Sequence, residues 1–278
     1  MRTSRGPCGP GTVTVVASLA MGTSYPGIDP RVSIPAEITG CFTEGSCVVL
    51  PVGNDGYMPA NEEPLTIAVG ETTVSALLLR PENPWATLVV AHGAGAGMEH
   101  PFLQGFASAM ADEGVATLRF NFPYREAGRR FPDRPPLAIA TWRTVMEAAA
   151  GLSDGGPLWA AGKSFGGRMA SMAVAEGMEA AGLVYLGYPL HPPGKPEKLR
   201  DEHLYGITVP MLFLQGTRDP FATPEILTDV VSRIGPSAVL EWVQGGDHSF
   251  AVAGQKRSAE ETGASLAGTV ARFIGAGG

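Results

Sequence analysis

From residue 65 onward the chain alternates short apolar runs with longer stretches of helical periodicity, each bounded by glycine or proline. Residues 65–69 and 74–79 read as two strands joined through Gly70-Glu71, a hairpin signal. The unbroken apolar run 87–91 has the character of a parallel strand buried on both faces, and it ends in His92-Gly93-Ala94-Gly95-Ala96-Gly97. Pro101 opens a helix that places Leu103, Phe106, Ala107 and Met110 at i, i+3, i+4 and i+7, and Gly114 stops it. Residues 115–122 make the next strand, followed by a polar loop rich in Arg and Pro. A helix from Pro136 to Gly151 carries Trp142, Val145, Met146 and Ala149 on one face.

The same alternation continues to the end. Strands are expected at 158–161, 183–186, 209–214 and 239–243, with 187–206 an irregular loop. Thr223-Pro224 begins a helix with Leu227, Val230, Val231 and Ile234 inward, ended by Gly235-Pro236. Ser258 and Glu261 form a capping box for a last helix bearing Leu266, Val270 and Phe273. Strands alternating with single helices, without an internal repeat, predict one α/β domain over 64–278 whose mostly parallel sheet is covered on both faces.

Residues 1–63 read differently. Pro, Gly, Ser and Thr are scattered through short apolar patches, and no period is sustained. Three readings compete: a secretory signal with Arg2 and Arg5 ahead of an apolar stretch, a disordered extension, and a misassigned start with the true beginning near Met58. Gly-Pro interruptions and the lack of a clear cleavage site count against the first. The expectation is therefore an irregular extension.

Composition narrows the function classes. The 278 residues are 44% hydrophobic and 17% charged, with a formal net charge of -7, which suits a soluble protein and argues against nucleic acid as a partner. No apolar run reaches the roughly 20 residues that span a bilayer. The three cysteines, Cys8, Cys41 and Cys47, all lie in the first fifty residues, so no disulfide framework is indicated and a cytoplasmic setting is the default.

The strand ends carry the candidate chemistry. Gly162-Lys163-Ser164-Phe165-Gly166 stands between an apolar run and a helix, the context in which G-x-S-x-G forms a sharp turn that exposes a nucleophilic serine. Asp219 and His248 follow two later strands, so His248 can take the Ser164 proton while Asp219 orients the imidazole. The amides of Phe165, at the start of the elbow helix, and Ala94, in the glycine-rich turn, are the expected oxyanion donors. Each assignment has a plainer rival. His100, His191 and His203 are also present, and Asp247 adjoins His248, but only His248 follows the last strand, and neighbouring side chains on a tight loop seldom face each other. His92 is expected to brace the turn. Gly93, Gly95 and Gly97 lack the spacing of a dinucleotide loop, and neither a cofactor nor a metal is called for. Arg119, Arg125, Arg129, Arg130 and Arg134, with Lys163 and Arg168 beside the serine, form a basic cluster. It reads either as a solvated face or as a source of cations, Arg125, Lys163 and Arg168 among them, for an anionic substrate.

The stretches HGAGAGMEHPF, RFNFPYREAGRRFPDRP, AGKSFGGRMAS, YLGYPLHPPGKPEKLRDEHL, LFLQGTRDPF and GDHSF resemble the α/β-hydrolase family that contains testis-expressed protein 30 and the hydrolase-like subunit of the NSL histone-acetyltransferase complex, and more distantly dienelactone hydrolases. The resemblance runs from about residue 65 to 274 and leaves 1–63 outside. It implies an α/β-hydrolase fold without a large cap, with Ser164, Asp219 and His248 on the triad positions. The nucleophile of dienelactone hydrolases is cysteine, which sets Ser164 apart from their chemistry. Two functions are expected to compete: a serine hydrolase acting on a small ester or thioester, and a hydrolase-fold interaction module with a protein partner.

Overall fold

The computed structural model describes residues 62–153 and 155–277, together with three short strands, β1 (Val13–Thr14), β2 (Cys41–Phe42) and β3 (Val49–Pro51). β1 and β2 pair antiparallel with each other. The rest of the expected 1–63 extension lies outside the described residues, except Glu62 and Glu63, which open β4.

β4 (Glu62–Val69) and β5 (Thr72–Leu79) form the expected hairpin, and β5 lies antiparallel to β7 (Val115–Phe120). Beyond β7 every neighbour is parallel: β6 (Ala86–Ala91), β8 (Leu158–Lys163), β9 (Leu183–Leu186), β10 (Met211–Gly216) and β11 (Ala238–Val243). The order is β11-β10-β9-β8-β6-β7-β5-β4, with β3 added outside β4. This is the α/β sheet that the alternation predicted. All six residues of β6, β7 and β10 are buried, which is why these runs show no polar alternation.

Alternate residues of the central strands feed two cores. Val89, Ala91 and Ala160 face one side, packed by α3 (Pro135–Leu152), α4 (Phe165–Ala175) and α5 (Pro224–Ile234). Leu88, Val90, Trp159 and Ala161 face the other, under α1 (Pro101–Asp112) and α6 (Ala259–Gly275). The capping box at Ser258 and Glu261 is formed. No helix of the described residues is long and apolar enough to cross a membrane.

Three local departures have physical causes. Residues 121 and 122 leave the strand because Phe122 becomes the N-cap of a one-turn helix, α2 (Pro123–Glu126), while the Asn121 amide still donates to the Ser75 carbonyl of β5. Pro123 at the first helical position favours that turn, which the Arg-rich composition had disguised as loop. Within 187–206, residues Glu202–Gly206 form a 3₁₀ turn. β8 and β10 each run two residues further than expected, to Lys163 and Gly216, carrying their ends to the level of the site.

α1 and α6 touch backbone to backbone. A Cβ on Gly105 would lie 2.1 Å from the Glu260 carbonyl oxygen, and one on Gly263 would lie 1.9 Å from that of Phe102. Neither neighbour is a flexible side chain, so the helices themselves would have to separate. Gly263→Ala should therefore lower stability by about 1–3 kcal/mol despite alanine's better helix propensity. Urea unfolding checks this, and a variant as stable as wild type would mean the helices separate without cost.

Candidate active site

The site is built where β6, β8, β10 and β11 end. At the end of β8, Gly162, Gly166 and Gly167 allow the chain to fold back on itself. A Cβ on Gly162 would meet the Gly167 nitrogen at 2.2 Å, and one on Gly166 would meet the His92 carbonyl oxygen at 2.7 Å. Between them Ser164 is held at φ 49°, ψ -111°, a conformation costly for a residue with a Cβ. The turn is secured from three sides. The Ser164 amide donates to the Leu186 carbonyl at 3.2 Å, the Arg168 amide donates to the Ser164 carbonyl at 3.1 Å, and buried Trp142 donates its indole N–H to the Gly166 carbonyl at 3.1 Å.

The structure brings Ser164, His248 and Asp219 together. Ser164 Oγ lies 2.8 Å from His248 Nε2, and His248 Nδ1 lies 2.6 Å from Asp219 Oδ2. The Asp219 side chain is fully buried, while 22% of the His248 side chain is exposed. Asp219 Oδ2 also accepts from Gln215 Nε2 at 2.6 Å, and Oδ1 accepts from the Phe221 amide at 2.8 Å. Held by these fixed donors the carboxylate has one orientation, and its acceptance at Nδ1 leaves Nε2 of the imidazole facing the Ser164 hydroxyl. The Phe221 ring lies against the imidazole at 4.2 Å. Asp247, the rival acid, instead accepts the Ser249 and Ala251 amides at 2.8 and 3.0 Å, which shapes the histidine loop.

His92 is completely buried, and that burial lowers its pKa to about 4, so it is neutral. Its Nε2 accepts the Phe122 amide at 3.2 Å, which leaves Nδ1 to donate to the Gly93 carbonyl at 2.8 Å. This fixes the turn from 92 to 97 against α2. The Ala94 and Phe165 amides have no protein acceptor among the described residues, and both residues line the cavity beside Ser164. The rival histidines are otherwise engaged, although His100 also lines the cavity. His100 caps α1 by accepting the Phe102 amide, His191 contacts the Pro192 carbonyl, and His203 pairs with buried Ser171 at 2.8 Å, away from the cavity lining.

The cavity in front of Ser164 measures about 580 Å³, within the range of small-molecule sites. Phe102, Leu103, Phe165, Pro189 and Phe221 supply much of its apolar wall. The basic cluster does not converge here as one unit. Arg119 is buried, ion-paired with Glu62, and donates to the Met98 carbonyl at 2.7 Å; Arg129 pairs with Asp133. Arg125, expected at the substrate, is exposed and outside the cavity lining. The cause is α2, which turns Tyr124 inward toward His92 and leaves the next residue outside. Lys163 and Arg168 do line the cavity, joined by Arg200 and Arg257, which sequence reasoning passed over because they fall in irregular stretches with no period to give their direction.

Lys163 reaches under the histidine loop, and its ammonium donates to the His248 carbonyl at 2.6 Å. It also sits 5.5 Å from the centre of the Phe250 ring. A group expected to meet substrate is thus engaged in holding His248. Burial pushes its pKa down from 10.5 to about 8, while Asp219 and then Asp247 act in the opposite sense.

Two expectations follow from this geometry. Ser164→Gly should be more stable than Ser164→Ala by about 1 kcal/mol, since only glycine escapes the cost of a positive φ; equal urea midpoints would mean the elbow relaxes. For Lys163, the folded protein releases its proton near pH 8 and the unfolded chain near 10.5, so between these values the unfolded chain binds more protons and the lysine's contribution to stability rises with pH. Lys163→Met lacks that gain. Its urea midpoint should therefore fall relative to wild type between about pH 7.5 and about pH 9.5, whereas a constant difference would mean the amine titrates as if exposed.

A family model described as an alpha/beta hydrolase domain matches residues 84–275, from the start of β6 to the end of α6. Among solved structures, an α/β serine hydrolase without lid from Xanthomonas campestris has a TM-score of 0.62 at 19% identity, over 80% of this chain and 97% of that one. A dienelactone hydrolase from Anabaena variabilis gives 0.62 at 20% identity, over 77% and 97%. Est1E from Butyrivibrio proteoclasticus, with ferulic acid bound, gives 0.60 at 17%, over 76% and 99%. At such identities these structures speak for the fold alone. A match that spans both cores, the serine elbow and the histidine loop shows that the chain belongs to the alpha/beta hydrolase family.

Proposed function

We propose that this protein is a serine hydrolase that cleaves a small ester or thioester through an acyl-enzyme. The observation that carries the reading is the hydrogen-bonded line from Ser164 Oγ through His248 to Asp219, at 2.8 and 2.6 Å, opening onto a partly apolar cavity. In this reading Ser164 Oγ bonds to the carbonyl carbon while its proton passes to His248 Nε2. The carbonyl oxygen, now an anion, is received by the Ala94 and Phe165 amides, which have no acceptor among the described residues and so give up no protein hydrogen bond to receive it. As the C–O or C–S bond breaks, His248 returns the proton to the leaving oxygen or sulfur. Water then repeats the sequence on the acyl-enzyme, giving the carboxylic acid and regenerating the serine. Asp219 stays ionised throughout and stabilises the imidazolium. Every proton is handled by these side chains, so the scheme calls for no cofactor.

Within the family, the motifs that resemble testis-expressed protein 30 and the hydrolase-like NSL subunit favour membership of that group, in a cytoplasmic setting. Labelling with a fluorophosphonate and turnover of p-nitrophenyl esters test the proposal. The folded protein should form an adduct on Ser164, and Ser164→Ala or His248→Ala should reduce kcat by at least about 10⁴-fold. A folded protein with no adduct on Ser164 would sink the enzyme reading and leave the interaction module standing.

A further inference from the structure

The chain carries a net charge of -7, yet the cavity in front of Ser164 is lined by Lys163, Arg168, Arg200 and Arg257 and by no Asp or Glu. Lys163 is engaged with the His248 carbonyl. The other cations have no such commitment. Arg168 projects from α4 one turn beyond Ser164. Its guanidinium has no ion-pair partner among the described residues, and its buried Nε makes no hydrogen bond. Burial and the neighbouring charge of Arg200 both disfavour its charged form. Arg200 offers one N–H to the Pro189 carbonyl at 3.4 Å and is likewise without a carboxylate. Asp201 is next in sequence, but its carboxylate accepts from Tyr205 at 2.5 Å and faces Arg233.

The backbone of both arginines is held by a buried neutral network. Ser171 Oγ contacts the Arg168 carbonyl at 2.8 Å and His203 Nε2 at 2.8 Å, and Tyr188 donates its hydroxyl to the Arg200 carbonyl at 2.8 Å. His203 is kept uncharged, with its pKa lowered to about 4 by burial and by Arg168. The network fixes where the two arginines start but supplies no negative charge. Two like charges held together in a half-dry cavity are unfavourable until an anion joins them. Guanidinium groups bind carboxylates through paired N–H donors, and the nucleophile lies in the same cavity.

We propose that Arg168 and Arg200, with exposed Arg257 at the rim, form an anion subsite that selects esters bearing a carboxylate. The proposal rests on the serine-hydrolase reading for its catalytic consequence, but binding of the anion does not require turnover. Of the three cations expected at the substrate it keeps Arg168, adds Arg200, and assigns no recognition role to Arg125 or Lys163.

The tests separate the two claims. For turnover, p-nitrophenyl hemiglutarate is compared with p-nitrophenyl butyrate, and p-carboxyphenyl butyrate with phenyl butyrate, so that the charge sits on the acyl side in one pair and on the leaving group in the other. At least one acid should exceed its neutral counterpart in kcat/KM by about tenfold or more, an advantage that shrinks with added salt and in Arg168→Gln and Arg200→Gln. For binding, glutarate is titrated into the folded wild-type protein by calorimetry, and its affinity should fall by about tenfold or more in Arg200→Gln. If glutarate does not bind the wild type, or binds Arg200→Gln equally well, the subsite is overturned even where Ser164 is active. If glutarate binds as expected while no ester is turned over and no fluorophosphonate adduct forms, the subsite stands and the serine-hydrolase reading fails. Equal turnover of acid and neutral esters in both pairs would overturn the selectivity.

Discussion

Backbone contact at glycine sets the geometry on which everything else in the site depends. The Cβ that Gly162 lacks would collide with the first turn of α4, and the one that Gly166 lacks would collide with His92. The same arrangement recurs between the acid and the histidine loops, where a Cβ on Gly216 would stand 2.2 Å from the Gly246 carbonyl oxygen and 2.6 Å from that of Asp247. These contacts tie β8 to the turn after β6, and β10 to the loop after β11. A parallel sheet already aligns the ends, since Ala91 pairs with Gly162 and Lys163 with Leu186. Glycine brings the loops beyond those ends close enough for side chains as short as serine and aspartate to meet one histidine.

The strain and burial this requires are balanced locally. Ser164 occupies an unfavourable backbone conformation because hydrogen bonds from Ser164, Arg168 and Trp142 leave the turn no alternative. Asp219 is buried with its charge met by the His248 ring, the Gln215 amide and the Phe221 N–H. Gln215 is itself held by accepting the Tyr188 amide at 2.7 Å, so the acid is oriented from strand β10 as well as from its own loop. Lys163 adds a cation beneath the histidine loop and fastens its backbone. Positioning is thus delegated to groups outside the Ser164–His248–Asp219 line, a division that keeps these three side chains within hydrogen-bonding distance of one another.

Much of this was legible in the sequence because it is local. Strand runs buried on both faces, helix caps at Pro101 and Ser258, and a G-x-S-x-G between strand and helix each carry their signal within a few residues. The positions of Ser164, Asp219 and His248 at strand ends followed from the same alternation. What was not legible depends on direction. Nothing local distinguishes Arg125, turned outward by α2, from Arg168, turned inward by α4, and composition alone made them one cluster. The Arg200 loop shows neither period, so the tyrosine and histidine bonds that hold it are visible only in three dimensions.

The distribution of charge around the site follows from these directions. Asp219 and Asp247 lie behind the histidine, with Asp247 bound to its own loop, while Arg168, Arg200 and Arg257 lie in front of the serine. α4 begins at the serine, so its unpaired amides and its dipole add positive character on that same front side. In the proposed reaction, negative charge behind the imidazole favours the cation that forms on it, and positive charge in front favours the oxyanion. An overall charge of -7 opposes the approach of anions at long range. That repulsion is screened within roughly 10 Å in ordinary salt, whereas guanidinium groups inside a cavity of low dielectric act at full strength on what has entered. Under the proposed anion subsite, selection by charge is therefore a property of the cavity walls and not of the surface as a whole.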